Sequence, residues 1–258
     1  MSKMVRAISD MGGVVISAID STDIVKRMEE IHKTSAVVSA ALGRMLTASQ
    51  LMASTLKSAS DTITLRIKAD GPIGLITVAC DGRGHCKGYV ENNVVEIPLR
   101  RDGKLDVGSA VGRNGQLYVV KDIGMKEPYV GSIPLESGEI AEDITAYYAY
   151  SEQIPTVCAL GVLVNPDLSI KCAGGYLLQL LPGATEEEIS LVENNIKNIP
   201  SITNFFESGH DVYDIINTVM DGFNPSILDE TDVKYQFDCS RERVKKALIS
   251  IGIKDLEM

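Results

Sequence analysis

The residues with nucleophilic or metal-binding chemistry are few. There are five cysteines (Cys80, Cys86, Cys158, Cys172 and Cys239) and three histidines (His32, His85 and His210). None of the histidines recurs at zinc-finger or H-E-x-x-H spacing. His85-Cys86 is the one adjacent His/Cys pair, set in the glycine-rich stretch "CDGRGHCKG". A cysteine nucleophile needs a base within hydrogen-bond reach and a positive neighbourhood to hold its thiolate. Adjacent strand residues point to opposite faces, so these two do not pair with each other. A turn histidine and a half-buried cysteine are expected instead. Cys158 and Cys172 lie in apolar runs and read as small buried hydrophobes. Tyr147, Tyr148 and Tyr150 read as residues on both faces of a sheet.

Cys239 differs. It stands in "FDCSRER", just before a helical pattern that Ser240 would cap, with Arg241 and Arg243 close by. A helix N-terminus and two guanidinium groups favour the thiolate, the form that binds metal or attacks disulfides. One cysteine alone cannot complete a tetrahedral zinc site. An enzyme that used Cys86 or Cys239 as nucleophile would need a base that the sequence does not reveal, so the expectation is that the chain is not an enzyme.

The elements that must position these groups follow from composition and periodicity. The chain has 258 residues, 45% hydrophobic, without tryptophan and with 5% aromatics. Its core must rest on Ile, Leu, Val, Met and Ala. Net charge is −10, which lacks the clustered basic field that nucleic acid or an anionic membrane surface requires. Residues 1–181 are near balance, with 20 acids and 18 bases, whereas 182–258 carry 15 acids and 7 bases. The last third is a chemically different unit. The odd cysteine count without a framework, and the lack of an N-terminal basic-then-apolar signal, suggest a reduced, cytoplasmic protein.

Residues 4–19 read as two strands around Gly12-Gly13, and "STDIVKRMEEIHKTS" as a helix capped by Ser21 or Thr22. Residues 35–57 are apolar all round, with small hydroxyl residues that can bond back to the helix; such a helix belongs inside a protein. From 62 to about 181 short strands separated by Gly, Pro and Asn-Pro turns follow, among them "ITAYYAYSEQIP". After Pro182-Gly183 the helical period returns. Thr185 and Glu188 form a capping-box pattern, and Gly222 marks a helix end. "VKYQF" reads as a strand. The expected class is therefore α+β, with largely antiparallel sheets packed around a buried central helix.

Several segments carry a resemblance. "AALGRMLTAS" at 40–49, "KADGPIG" at 68–74, "GKLDVGSAVGRNGQLYVVKDIG" at 103–124, "SGEIAEDITAYYAYSEQIP" at 137–155, "GVLVNPD" at 161–167 and "AGGYLLQLLPGA" at 173–184 resemble, in order, the bacterial heat-shock protein 33 family of redox-regulated holdase chaperones. None is an enzymatic motif. The resemblance implies a substrate-binding core domain at 1–181, a metastable helical linker at 182–225 and, at 226–258, a remnant of a small C-terminal zinc module. In the family a Cys-x-Cys and a later Cys-x-x-Cys hold zinc when reduced. Oxidation forms disulfides, expels zinc, destabilises the linker and uncovers apolar surface for unfolding clients, without ATP.

The chain departs from that pattern at the switch. Cys239 matches the second cysteine of the first pair, but Phe237 stands where its partner belongs, and the chain ends 19 residues after Cys239 without a Cys-x-x-Cys. Cys239 thus resembles the remnant of a zinc site. The expectations are no bound zinc or other cofactor, no intramolecular disulfide switch, and client binding that is constitutive or set by linker stability. Unfolded or misfolded client proteins are the expected partners, and a homodimer fits the family. An alternative is a folded core without regulated activity.

Overall fold

The structure is a computed structural model that describes residues 2–197 and 199–237, together with Glu242, Lys245 and Ile249. Two sheets sandwich one helix. The first sheet has the order β10-β1-β2-β9-β8, with β1 Lys3–Ile8, β2 Val14–Asp20, β8 Thr156–Val164, β9 Ile170–Leu180 and β10 Ser226–Asp232, every pairing antiparallel. The second has the order β11-β5-β4-β3-β6-β7, with β3 Thr62–Ala69, β4 Ile76–Asp81, β5 His85–Val90, β6 Gly115–Asp122, β7 Tyr129–Pro134 and β11 Lys234–Tyr235. Among the described strands only β11, beside β5, runs parallel to its neighbour. Residues 226–235, grouped with the C-terminal remnant on sequence grounds, thus supply an edge strand to each sheet.

Helix α2, Ala36–Ala53, lies between the sheets and touches β2, β8 and β9 on one side and β3, β4 and β5 on the other. All of its residues except Ala36 and Arg44 are buried. Its hydroxyls are satisfied locally, as the small polar residues suggest: Thr47 Oγ1 donates to the Gly43 carbonyl at 2.8 Å and Ser49 Oγ to Leu46 at 2.7 Å. The helix is long and apolar enough to cross a membrane, but protein surrounds it instead. Arg44 reaches out to the Glu139 carboxylate at 2.6 Å.

Helix α1, Thr22–His32, precedes α2. Its expected Ser21 cap is not made. Ser21 Oγ is 2.7 Å from Thr47 Oγ1 in the core, and Asp20 Oδ1 accepts the Thr22 N–H at 2.9 Å in its place. Burial recruits the serine into the helix–helix contact and leaves the cap to the more exposed aspartate.

The second departure is larger. "ITAYYAYSEQIP" is not a strand: α4 spans Ala141–Tyr147 and a π-helical turn continues through Tyr148–Glu152. Its aromatic and β-branched content mimics a strand, but a buried carboxylate decides otherwise. Asp143 accepts backbone N–H groups from Glu136, Ser137, Gly138 and Ile140, at 2.8, 3.1, 3.4 and 2.9 Å. Ile140 is held at φ 70, ψ −51, with the Ala141 N–H bonded to the Glu139 carbonyl. That is the rare γ-turn with positive φ, strained for a β-branched residue. Tyr147 and Tyr148 are consequently core residues of a helix, and Tyr150 is exposed. The short helices α3, Val107–Val111, and α6, Ile202–Glu207, have no counterpart in the sequence reading.

Helices α5, Glu186–Lys197, α6 and α7, Val212–Val219, lie over the far face of the first sheet. That sheet is therefore covered on both faces, which is why β9 is buried along nearly its whole length. The apolar interior divides into two clusters. The larger surrounds α2; the smaller lies beneath α5–α7.

Candidate functional site

Strand alternation creates the smaller cluster. Val5 and Ala7 on β1, Val14, Ile16 and Ala18 on β2, and Tyr176 and Leu178 on β9 face one way; Met4, Ile19 and Leu177 face α2. The outward row forms a continuous apolar floor. Onto it pack Val192 of α5, Ile202 and Phe205 of α6, Ile215, Ile216 and Val219 of α7, and Phe223 just beyond. Fully burying one such side chain contributes about 1.5–3 kcal/mol. Glycines admit the cover closely. At Gly174 a Cβ would lie 2.4 Å from the Phe206 ring, so the ring rests against bare backbone there.

The helices of the cover are well capped. Asp211 accepts the N–H groups of Tyr213 and Asp214 at 2.9 and 3.0 Å, and Asp214 returns a bond to the Asp211 N–H. Thr185 and Glu188 make the reciprocal capping box their spacing predicts. Glu188 is also buried, and its carboxylate accepts from Ser9 Oγ in the β1–β2 hairpin, where Gly13 leaves room for it.

Among the described residues the polar ties from cover to body are Lys171 with Glu207, Lys3 with Tyr213, Asn224 with Asp10, the Asp10 N–H on the Phe223 carbonyl, the Cys172 thiol on the Thr203 carbonyl and the buried Ser9–Glu188 bond, while Tyr213 also reaches Glu230 on β10. Hydrocarbon contact, not charge, is the main attachment. Exposed ion pairs of this kind contribute little.

Among the described residues, no thiol is held as a ready nucleophile in the closed structure. Cys86 is fully buried, not half-buried, because β5 packs beneath α2 and β11 closes its edge. Burial pushes the thiols of Cys80, Cys86, Cys158 and Cys172 up, away from the thiolate. His85 turns to Asp81, Nδ1 to Oδ2 3.6 Å. Cys239 lies outside the described residues. Phe237 is exposed, its ring edge-on to Tyr235 with centroids 6.3 Å apart. A phenyl ring donates no lone pair to a metal. Among the described residues no three His, Cys, Asp or Glu side chains gather as ligands, so the residues described do not fit a zinc centre.

The sequence reading found the amphipathic helices after 182 but not the floor they cover. The available signal was β9 itself: "AGGYLLQLL" runs apolar without alternation, as expected of a strand covered on both faces.

Comparison with known proteins places this geometry. The family described as Hsp33 protein matches residues 2–258. A 33 kDa chaperonin of Clostridium acetobutylicum is 46% identical over 256 residues, covering 99% of this chain and 86% of the relative. One from Clostridioides difficile is 47% identical over 253 residues, covering 98% and 87%. The crystal structure of the 33 kDa chaperonin (heat shock protein 33 homolog) of Thermotoga maritima superimposes with a TM-score of 0.91 at 35% identity, over 98% of this chain and 87% of that one. With the family matched from residue 2 to residue 258 and its fold reproduced in a solved relative, the chain belongs to the Hsp33 family.

Proposed function

We propose that this chaperone holds unfolding proteins, without ATP, on the floor of β1, β2 and β9 after α5–α7 lift away. The observation that carries this reading is the second apolar cluster: a sheet face that needs a cover, and a cover whose main contact with it is hydrocarbon. Residues 1–181 are the body, 182–225 the removable cover, and 226–258 the segment that follows. Exposed segments of misfolded clients are rich in the same aliphatic and aromatic side chains and replace the cover by the same burial. The chain acts in the cytoplasm, as a monomer or a homodimer, and is not an enzyme.

The docking free energy of the cover sets how much floor is exposed. The alternative is a folded core that never releases its cover. Light scattering by a thermally unfolding client separates the two. Suppression of aggregation by the chain, to a similar extent in reduced and peroxide-treated samples, is the expected result. No suppression in either sample supports the inert core. Strong suppression only after peroxide would return control to a redox centre and overturn the reading.

A further inference from the structure

We propose that Cys80 and Cys86 form a reversible disulfide across the β4–β5 hairpin when a hydroperoxide reaches them. The strand register carries this. Cys80 pairs directly with Cys86. The Cys86 carbonyl accepts the Gln236 N–H at 2.8 Å, so its backbone polar groups point toward β11 and away from β4. Cys80 and Cys86 are thus a non-hydrogen-bonded pair, the kind in which opposing Cα atoms approach to about 4.5 Å and side chains are closest. A disulfide spans Cα separations of about 4.4–6.8 Å, so the bridge needs no rearrangement of the strands. Both side chains face α2 and are buried in the main cluster, which puts the two sulfurs on one face of the sheet.

The chemistry balances without a metal. One thiolate attacks the peroxide oxygen, giving a sulfenic acid and, once protonated, water. The second thiol attacks the sulfenic sulfur, and a second water leaves as the S–S bond forms. Two thiols and one hydrogen peroxide become one disulfide and two waters; the sulfurs lose two electrons and the peroxide gains them.

Burial sets the kinetics. In the closed structure neither thiol ionises readily, since desolvation pushes both up. Oxidation therefore waits for the hairpin to part from α2, which breaks the 3.0 Å bond from Gln50 Nε2 to the Gly84 carbonyl and loosens the two-residue strand β11. Once formed, the bond ties the hairpin shut. It lies against the opposite side of the body from α5–α7, so it reports on the α2 sandwich and does not depend on the client-binding proposal.

The test is disulfide mapping on the full chain. The protein is treated with hydrogen peroxide in urea below its unfolding midpoint, free thiols are alkylated after complete unfolding, and the digest is read by mass spectrometry. Expected is a peptide containing both residues that lacks two hydrogens, carries no added oxygen or alkyl group, and forms faster as urea rises. Dithiothreitol should restore both thiols. In the Cys80→Ala variant Cys86 should be recovered alkylated or with added oxygen after the same treatment, and not bridged to another cysteine. Recovery of both residues as thiols, as sulfinic or sulfonic acids, or bridged to Cys158, Cys172 or Cys239 would overturn the proposal. A second readout is hydrogen exchange over 80–90, which should slow in the oxidised protein; unchanged exchange with a mapped bond would overturn the claim that it ties the hairpin.

Discussion

Ile216→Ala tests whether α5–α7 behave as a cover. Ile216 is 1% exposed and belongs to the cluster between the helices and the first sheet, not to the one around α2. Truncation removes buried carbons and leaves a gap that short helices only partly close, a loss of about 2–5 kcal/mol. If the cover is a separate unit, that loss falls on its docking alone. At a factor of ten per ~1.4 kcal/mol, the undocked population rises roughly 30-fold to a few thousand-fold. Hydrogen exchange with mass spectrometry reads this directly: protection over Val212–Val219 should fall by that factor, while protection over Ala36–Ala53 stays unchanged. In light scattering the variant should suppress client aggregation at a lower chain-to-client ratio than the parent. Equal loss of protection in α2 and α7 would mean that the two clusters melt as one body. Loss confined to α7 without improved client capture would refute the floor as the binding surface.

Gly13→Ala places a Cβ 2.3 Å from Glu188 Oε2; the carboxylate must swing out, and the capping box of α5 should weaken by about 1 kcal/mol, seen as faster exchange over Glu186–Lys197. Asp143→Ala strands four backbone N–H groups and should cost at least about 3 kcal/mol, measured as a lower urea midpoint. His32 supplies a pH dependence. Its imidazole is held below its usual pKa by burial, partly offset by the Gly88 carbonyl. The unfolded histidine takes up a proton near pH ~6.5 and the folded one only at lower pH. Stability from this group is thus complete above about 6.5 and falls as pH drops through the folded value. The thermal midpoint should fall in that window, and His32→Gln should flatten the decline.

How much was legible depended on whether a residue's fate is local. Helix α2 was readable because an apolar surface on every side has one resting place. The β1–β2 hairpin was readable from Gly12-Gly13 and the alternation around it. Residues 144–150 were not, because Ile144, Thr145 and the tyrosines mimic a strand, while the interaction that decides, Asp143 on the N–H groups of 136–140, exists only once the loop has folded back. Strand β10, "SILDETD", was invisible for a different reason. Its polar residues sit at a sheet edge, where no apolar face writes a pattern, and its partner β1 is at the other end of the chain. The same holds at the candidate site: α5 and α7 announce their apolar faces, but not which sheet receives them. The cysteine pair was hidden by one missing piece, the direction of the Cys86 carbonyl, which depends on β11.

The pairing of β1 with β10 has a consequence for the order in which the molecule is made. The Lys3–Glu230 ion pair joins residues 227 positions apart. At ~5–20 residues per second on the ribosome, β1 emerges about 10–45 s before the strand that covers it. Through that interval its free edge offers unpaired N–H and C=O groups to any passing strand. A nascent molecule of this chaperone is therefore, for most of its own translation, as much in need of protection from edge-to-edge association as the proteins it later guards.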